Sequence, residues 1–146
     1  MKIRLMTAQD YDAVYQLWLN TPGMGLNNMD DSCEGINKYL QCNPLTCFVA
    51  EEKESIIGVI LSGHDGRRGF IYHLAVDQAY QRKGIGRTLV EAAMDALKGE
   101  GIHKVALVVY GGNAKGNAFW EKIGFETRPD LTYRNKNIHP LTMIEP

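Results

Sequence analysis

Phe70-Ile71-Tyr72-His73-Leu74-Ala75-Val76, then Asp77-Gln78-Ala79-Tyr80, then Gln81-Arg82-Lys83-Gly84-Ile85-Gly86, then Arg87 to Lys98: this stretch decides the fold. The opening run is short, aromatic and β-branched, as a buried strand is. Past the glycines, Ile85, Leu89, Ala93 and Leu97 recur every four residues, with Val90 and Met94 beside them. That spacing predicts one apolar face of a helix. Strand, glycine loop and helix therefore follow one another without a gap. Gly84 and Gly86 permit a tight turn, and the free N–H groups of the helix's first turn then point forward with about half a positive charge behind them. Arg82, Lys83 and Arg87 place three cations at the same spot. The arrangement suits a phosphate or pyrophosphate. It is not the dinucleotide fingerprint, which needs Gly-x-Gly-x-x-Gly, nor the nucleoside-triphosphate loop, which ends in Gly-Lys-Ser/Thr.

Outward from this unit, the chain of 146 residues has the length of one domain, 1–146. A formal charge of −1 gives no overall basic field for nucleic acid or an anionic membrane, so affinity for phosphate has to be local. The charged start Met1-Lys2-Ile3-Arg4-Leu5 and the lack of a long apolar run argue against a leader or a membrane span. Cys33, Cys42 and Cys47 are odd in number and form no Cys-x-x-Cys pair, which favours reduced thiols in a cytoplasmic protein over disulfides or a metal site.

The remaining elements follow from pattern. Lys2 to Met6 alternates as a first strand. Thr7 and Asp10 open a helix whose apolar face is Tyr11, Val14, Tyr15, Leu17 and Trp18, and which ends at Asn20-Thr21-Pro22-Gly23. Ser32 to Gln41 is a short second helix, and the loop before it can border a binding site. Thr46–Glu51 and Ile56–Gly63 form a hairpin, with His64 to Gly69 turning back into the central strand. Lys104–Tyr110 follows a helix, so it lies parallel to the central strand, and Val105 to Val109 reads as covered on both faces. A last helix runs from Asn113 or Ala114 to Ile123, closed by Gly124. Phe125–Arg128 and Thr132–Ile138 are expected as the final strands.

The string Gln81-x-x-Gly84-x-Gly86 between a strand and a helix resembles the acetyl-coenzyme A signature of the GNAT superfamily of N-acetyltransferases. Asn113-Ala114-Lys115-Gly116-Asn117-Ala118-Phe119-Trp120-Glu121-Lys122-Ile123-Gly124-Phe125 resembles that family's Asn-x-x-Ala-x-x-Leu-Tyr-Glu-Lys-x-Gly-Phe segment. The resemblance implies an α/β (α+β) GNAT fold: a mixed, mostly antiparallel twisted sheet of about six to seven strands with helices on both faces. It is splayed between the strand at 70–76 and the strand at 104–110.

The resemblance also implies an enzyme, an acetyl-coenzyme A-dependent N-acetyltransferase that moves the acetyl group directly to a primary amine in a ternary complex. Acetyl-coenzyme A would be the co-substrate and no metal is implied. The acceptor would be a small molecule or a protein amine, with a homodimer left open. By motif position, Leu74, Ala75 and Val76 would pair with the pantetheine arm, and an N–H near Leu74 would face the thioester oxygen. Such a donor is worth about 2.7–4 kcal/mol where measured. Gln81, Arg82, Lys83, Gly84, Ile85 and Gly86 would hold the pyrophosphate, with Arg87 and Thr88 adding contacts. Asn113, Asn117, Phe119 and Trp120 would line the opposite wall.

Two departures from the family pattern bear on catalysis. Trp120 stands where the family carries the Tyr that protonates the thiolate, and an indole N–H is not a usable acid. Thiolate can leave unaided near neutral pH, since a thiol's pKa is about 8.5; Tyr110 and Tyr133 are the substitute donors to consider. Tyr72 and His73 stand where a Glu base is common. His73 is the first choice as base, and strand alternation puts it and Tyr72 on opposite faces. His64 and Asp65 are weaker choices, Asp65 serving its Asp-Gly turn. Asp30, Asp31 and Glu34 could draw a cationic amine to the cleft, or simply cap a helix. The rival reading is a GNAT-fold acyl-coenzyme A binding or sensing module with little catalysis.

Overall fold

The computed structural model describes residues 1–146. The strands are β1 (Lys2–Leu5), β2 (Leu26–Asn27), β3 (Phe48–Glu52), β4 (Ser55–His64), β5 (Gly69–Val76), β6 (Val105–Ala106) and β7 (Met143–Ile144). The α-helices are α1 (Tyr11–Leu19), α2 (Cys33–Cys42), α3 (Ile85–Gly99) and α4 (Ala114–Lys122). Five strands form one sheet in the order β1-β3-β4-β5-β6, antiparallel except for the parallel pair β5–β6. β2 and β7 make a separate antiparallel ribbon.

Two apolar layers cover the sheet. Val14, Leu17 and Trp18 of α1 and Ile36 and Leu40 of α2 pack on Val49, Val59, Leu61 and Ala75. On the other face Ile85, Leu89, Val90 and Ala93 of α3 pack on Ala50, Ile57, Ile60 and Ile71, with Phe119, Trp120 and Phe125 against the same cluster. Ile85, Leu89, Val90, Ala93 and Leu97 thus become the buried stripe of α3, while Met94 beside them stays exposed.

Local chemistry explains the boundaries. Lys53 and Glu54, both at positive φ, make the two-residue turn of the β3–β4 hairpin. Ser32 caps α2 by accepting the Gly35 N–H. α4 ends in a Schellman arrangement: Gly124, at φ +98°, donates to Glu121, and Phe125 donates to Trp120.

β5 carries one extra residue. Ser62 pairs with Ile71 and Leu61 with His73, so Tyr72 is a bulge. The main-chain bonds agree. The Gly69 N–H points away from β4, to Lys104 O, whereas the Asp77 N–H points into β4, to Ile57 O. Eight residues apart, they would face the same way in an unbroken strand.

The C-terminal third departs from the sequence reading. Only Val105–Ala106 of the expected strand at 104–110 pairs, and Val108 and Tyr110 are exposed rather than covered. Phe125–Arg128 and Thr132–Ile138 form no strand. A two-residue edge offers too little backbone to template them. The segment is also highly charged, and Arg128 folds onto Asp130 as an ion pair while Leu131 N–H turns back to Arg128 O. No helix is long and apolar enough to cross a membrane.

Candidate active site

The parallel pairing of β5 with β6 covers only Gly69 and Phe70, and beyond them the two chains part. The rest of β5 therefore has a free outer edge. Counting back in twos from Asp77, Ala75 and His73 turn their N–H groups into β4, leaving those of Leu74 and Val76 aimed at the gap. The carbonyl of Val76 lies on the same side and accepts from Gln81 Nε2 at 3.2 Å. Gln81 thereby pins the following loop to the end of the strand.

That loop brings its amides and cations to the start of α3. Arg82 and Gly84 have φ of +62° and +78°, and Gly84 is the N-cap of α3. From Arg82 to Arg87 no N–H finds a main-chain acceptor within the chain. A row of unpaired amides at a helix N-terminus is an anion cradle. Thr88 donates its hydroxyl to Gly84 O and keeps its lone pairs free; Arg87 pairs with Glu91 at 3.2 Å, and Lys83 lies 5.5 Å over the Tyr80 ring.

α4 forms the facing wall. Asn113 caps it by accepting the Gly116 N–H, and Asn117 gives its side-chain N–H groups to Tyr110 O and Asn113 O. The Asn117 amide oxygen is left as an acceptor. Phe119 packs beside Gly86, and Trp120 stacks edge-on between Phe119 and Phe125, its centroid 5.1 and 5.0 Å from theirs. The Trp120 ring is therefore part of the packing under α3.

On the α1–α2 face the bulge overturns one expectation. Tyr72 and His73 lie on the same face, not opposite ones, because the extra residue breaks the alternation. Tyr72 meets Tyr39 of α2 at 5.7 Å, and His73 meets Trp18 of α1 at 4.9 Å. Tyr72 is more than half exposed, yet partial desolvation, with Tyr133 and Asp30 nearby, holds its phenol above the ordinary range, so it is a neutral hydroxyl. His73 Nε2 is 2.8 Å from Asp31 Oδ1. Asp31, grouped in the sequence with the surface acids, is instead 5% exposed, while Asp30 is at the surface.

Other residues fall away from this centre. His64 sits at the opposite end of β4–β5, held by Glu100 and by the Gly66 N–H. Asp65 accepts the Arg67 and Arg68 N–H groups, the turn role read for it. Tyr110 lies beyond β6 with its hydroxyl over Gly25, and Asn113 lies beside Gly23. The loop between α1 and α2 thus borders the gap. The Asp31–His73 pair was missed in the sequence, where 42 residues separate the partners. An acid beside the Ser32 cap was the only sign.

The acetyltransferase (GNAT) family model matches residues 11–125. An acetyltransferase of Pectobacterium atrosepticum is 31% identical over 132 residues, covering 90% of this chain and 92% of that protein. Among solved structures, Ard1 from Thermoplasma volcanium superposes with a TM-score of 0.74 at 22% identity, covering 84% of this chain and 80% of that one. The PaiA N-acetyltransferase from Thermoplasma acidophilum, in complex with coenzyme A, also gives 0.74, at 18% identity, covering 87% and 90%. With a family match over most of its length, this chain belongs to the acetyltransferase (GNAT) family and is an N-acetyltransferase.

Proposed function

We propose that the enzyme transfers an acetyl group from acetyl-coenzyme A directly to a primary amine, with both substrates bound together. The observation that carries this reading is the row of unpaired amides from Arg82 to Arg87, opening where the free edge of β5 ends. Its charge and shape fit a diphosphate. In this reading the free edge at Leu74, Ala75 and Val76 pairs with the pantetheine arm as a further strand would. Arg82, Lys83, Gly84, Ile85 and Gly86 hold the diphosphate, helped by Arg87 and Thr88, with Asn113 and Asn117 opposite.

Bound acetyl-coenzyme A supplies an acetyl thioester with sulfur as the leaving group. The Leu74 N–H is the donor for the carbonyl oxygen as negative charge builds on it. His73 takes the proton from the acceptor amine, directly or through water. Trp120 gives no proton to the departing sulfur. Tyr72, a neutral phenol adjacent to His73 in the chain, is the first choice for that task, ahead of Tyr110 and Tyr133. Asp30 and Glu34, outside this centre, favour a cationic acceptor.

Calorimetry with coenzyme A, together with thiol release from acetyl-coenzyme A across a panel of amines, tests the proposal. Micromolar binding and transfer to at least one amine are expected. Binding without transfer to any amine would instead favour an acyl-coenzyme A binding module, and no binding would remove the proposal altogether.

A further inference from the structure

We infer that Asp31 is the positioning residue that makes His73 a base, by fixing which ring nitrogen carries the proton. The inference rests on the acetyl-transfer reading above for what His73 does.

Asp31 is buried, and no lysine or arginine pairs with it; its one ion-pair partner is His73. A buried carboxylate in that position depends on N–H donors. Oδ2 accepts the Asn27 N–H at 2.8 Å, and Oδ1 lies 2.8 Å from His73 Nε2. An ionised carboxylate only accepts, so the hydrogen between them sits on Nε2. In the neutral imidazole the other nitrogen, Nδ1, then carries the lone pair. Nδ1 has no partner in the chain and is not among the sealed polar atoms, and the ring keeps 11% exposure. One nitrogen is held and the other is available.

Both partners are themselves fixed. Tyr11 donates its hydroxyl to the Asp31 carbonyl at 2.7 Å, tying the loop to α1. Trp18, also on α1, holds the imidazole edge-on. His73 immediately precedes Leu74, whose N–H faces the gap, so the ring and the carbonyl-binding amide are set by adjacent residues. Whatever else this contact ties together, it imposes the Nε2–H tautomer, because a carboxylate only accepts.

The substitution Asp31→Asn separates the two roles. The Asn27 N–H still requires the side-chain oxygen, so the new NH₂ group must face His73 Nε2. Nε2 is forced to accept, and the proton moves to Nδ1. Size and hydrogen bonding persist while the base is lost. Nitrogen-15 spectra of the histidine rings should show the Nε2–H form in the wild type and the Nδ1–H form in Asp31→Asn. On the amine found in the panel, kcat should fall by about 100-fold or more, the usual worth of a positioned base. Affinity for coenzyme A should stay unchanged, and Asp31→Glu should restore part of kcat. An Nδ1–H ring in the wild type overturns the inference, as does a variant with a switched tautomer and undiminished kcat. If Asp31→Asn does not fold, the wild-type spectrum alone decides the tautomer. Failure of the wild type to acetylate any amine would count against the acetyl-transfer reading, while the ring spectra would still decide whether Asp31 sets the tautomer.

Discussion

A Cβ added to Gly86 would stand 3.4 Å from the tip of the Phe119 ring, so α3 and α4 meet at the mouth of the loop with room for little more than a methyl group. Gly86→Ala should be tolerated. Gly86→Val should push Phe119 aside and cost about 1–3 kcal/mol, the usual range for overpacking. Thermal melts of the two variants, with coenzyme A titrations, check this; the valine variant should lose affinity as well as stability.

Charge reversal at the loop tests the anion cradle itself. Arg82→Glu with Lys83→Glu leaves every amide in place but sets two negative charges where a diphosphate would lie. Interactions of one charge at a helix N-terminus reach about 0.3–1 kcal/mol, so reversing two should weaken coenzyme A binding by about tenfold or more. Raising the salt concentration should narrow the difference between variant and wild type. Unchanged calorimetric affinity would move the diphosphate elsewhere.

Trp120→Tyr exchanges one aromatic ring for another between Phe119 and Phe125. Because the indole cannot protonate a thiolate, kcat should be equal or higher. Because the phenol is smaller than the indole, the change should cost about 0.5–3 kcal/mol of stability, the usual span for a point substitution. A large fall in kcat with normal stability would mean that the indole shapes the substrate cleft.

Acid should expose the pair formed by Arg4 and Asp10. Burial alone would raise the Asp10 carboxyl, but two hydrogen bonds from Arg4 and one from the Thr7 N–H outweigh it and hold it below the ordinary carboxylate range. A depressed folded pKa gives stability that is present above the unfolded value, near 3.9, and lost as pH falls through the folded value. Asp10→Asn should lower stability at pH 7 by about 1.5–3 kcal/mol, typical of hydrogen bonds to a charged group. Urea midpoints should converge with the wild type as pH drops below about 4.

The sequence carried the strand, loop and helix at 70–98 because each has a local cause: an apolar run, glycines that allow left-handed backbone, and a four-residue apolar repeat. The β3–β4 hairpin and the cap of α4 were legible for the same reason. What failed depended on distant partners. Val105 to Val109 is apolar enough for a covered strand, yet the chain leaves β5 after two residues and Val108 is exposed. The bulge at Tyr72 leaves no local mark, and with it went the facing of His73. Asp31 read as one acid among three, since nothing near it in the chain announces an imidazole partner 42 residues away.

The single inserted residue at Tyr72 puts the two halves of β5 half a pleat out of phase. Delete it while Ile71 stays opposite Ser62 and His73 opposite Leu61, and every remaining residue keeps its partner and its facing. The ladder would then run regularly, with the amides of Leu74 and Val76 still turned outward and His73 still opposite Leu61. What a chain shortened there would lose is one phenol against α2 and the added bend and twist that a bulge gives its strand. The inserted residue thus shapes the curvature of β5, whereas the outlook of its outer edge is dictated by the partnership with β4.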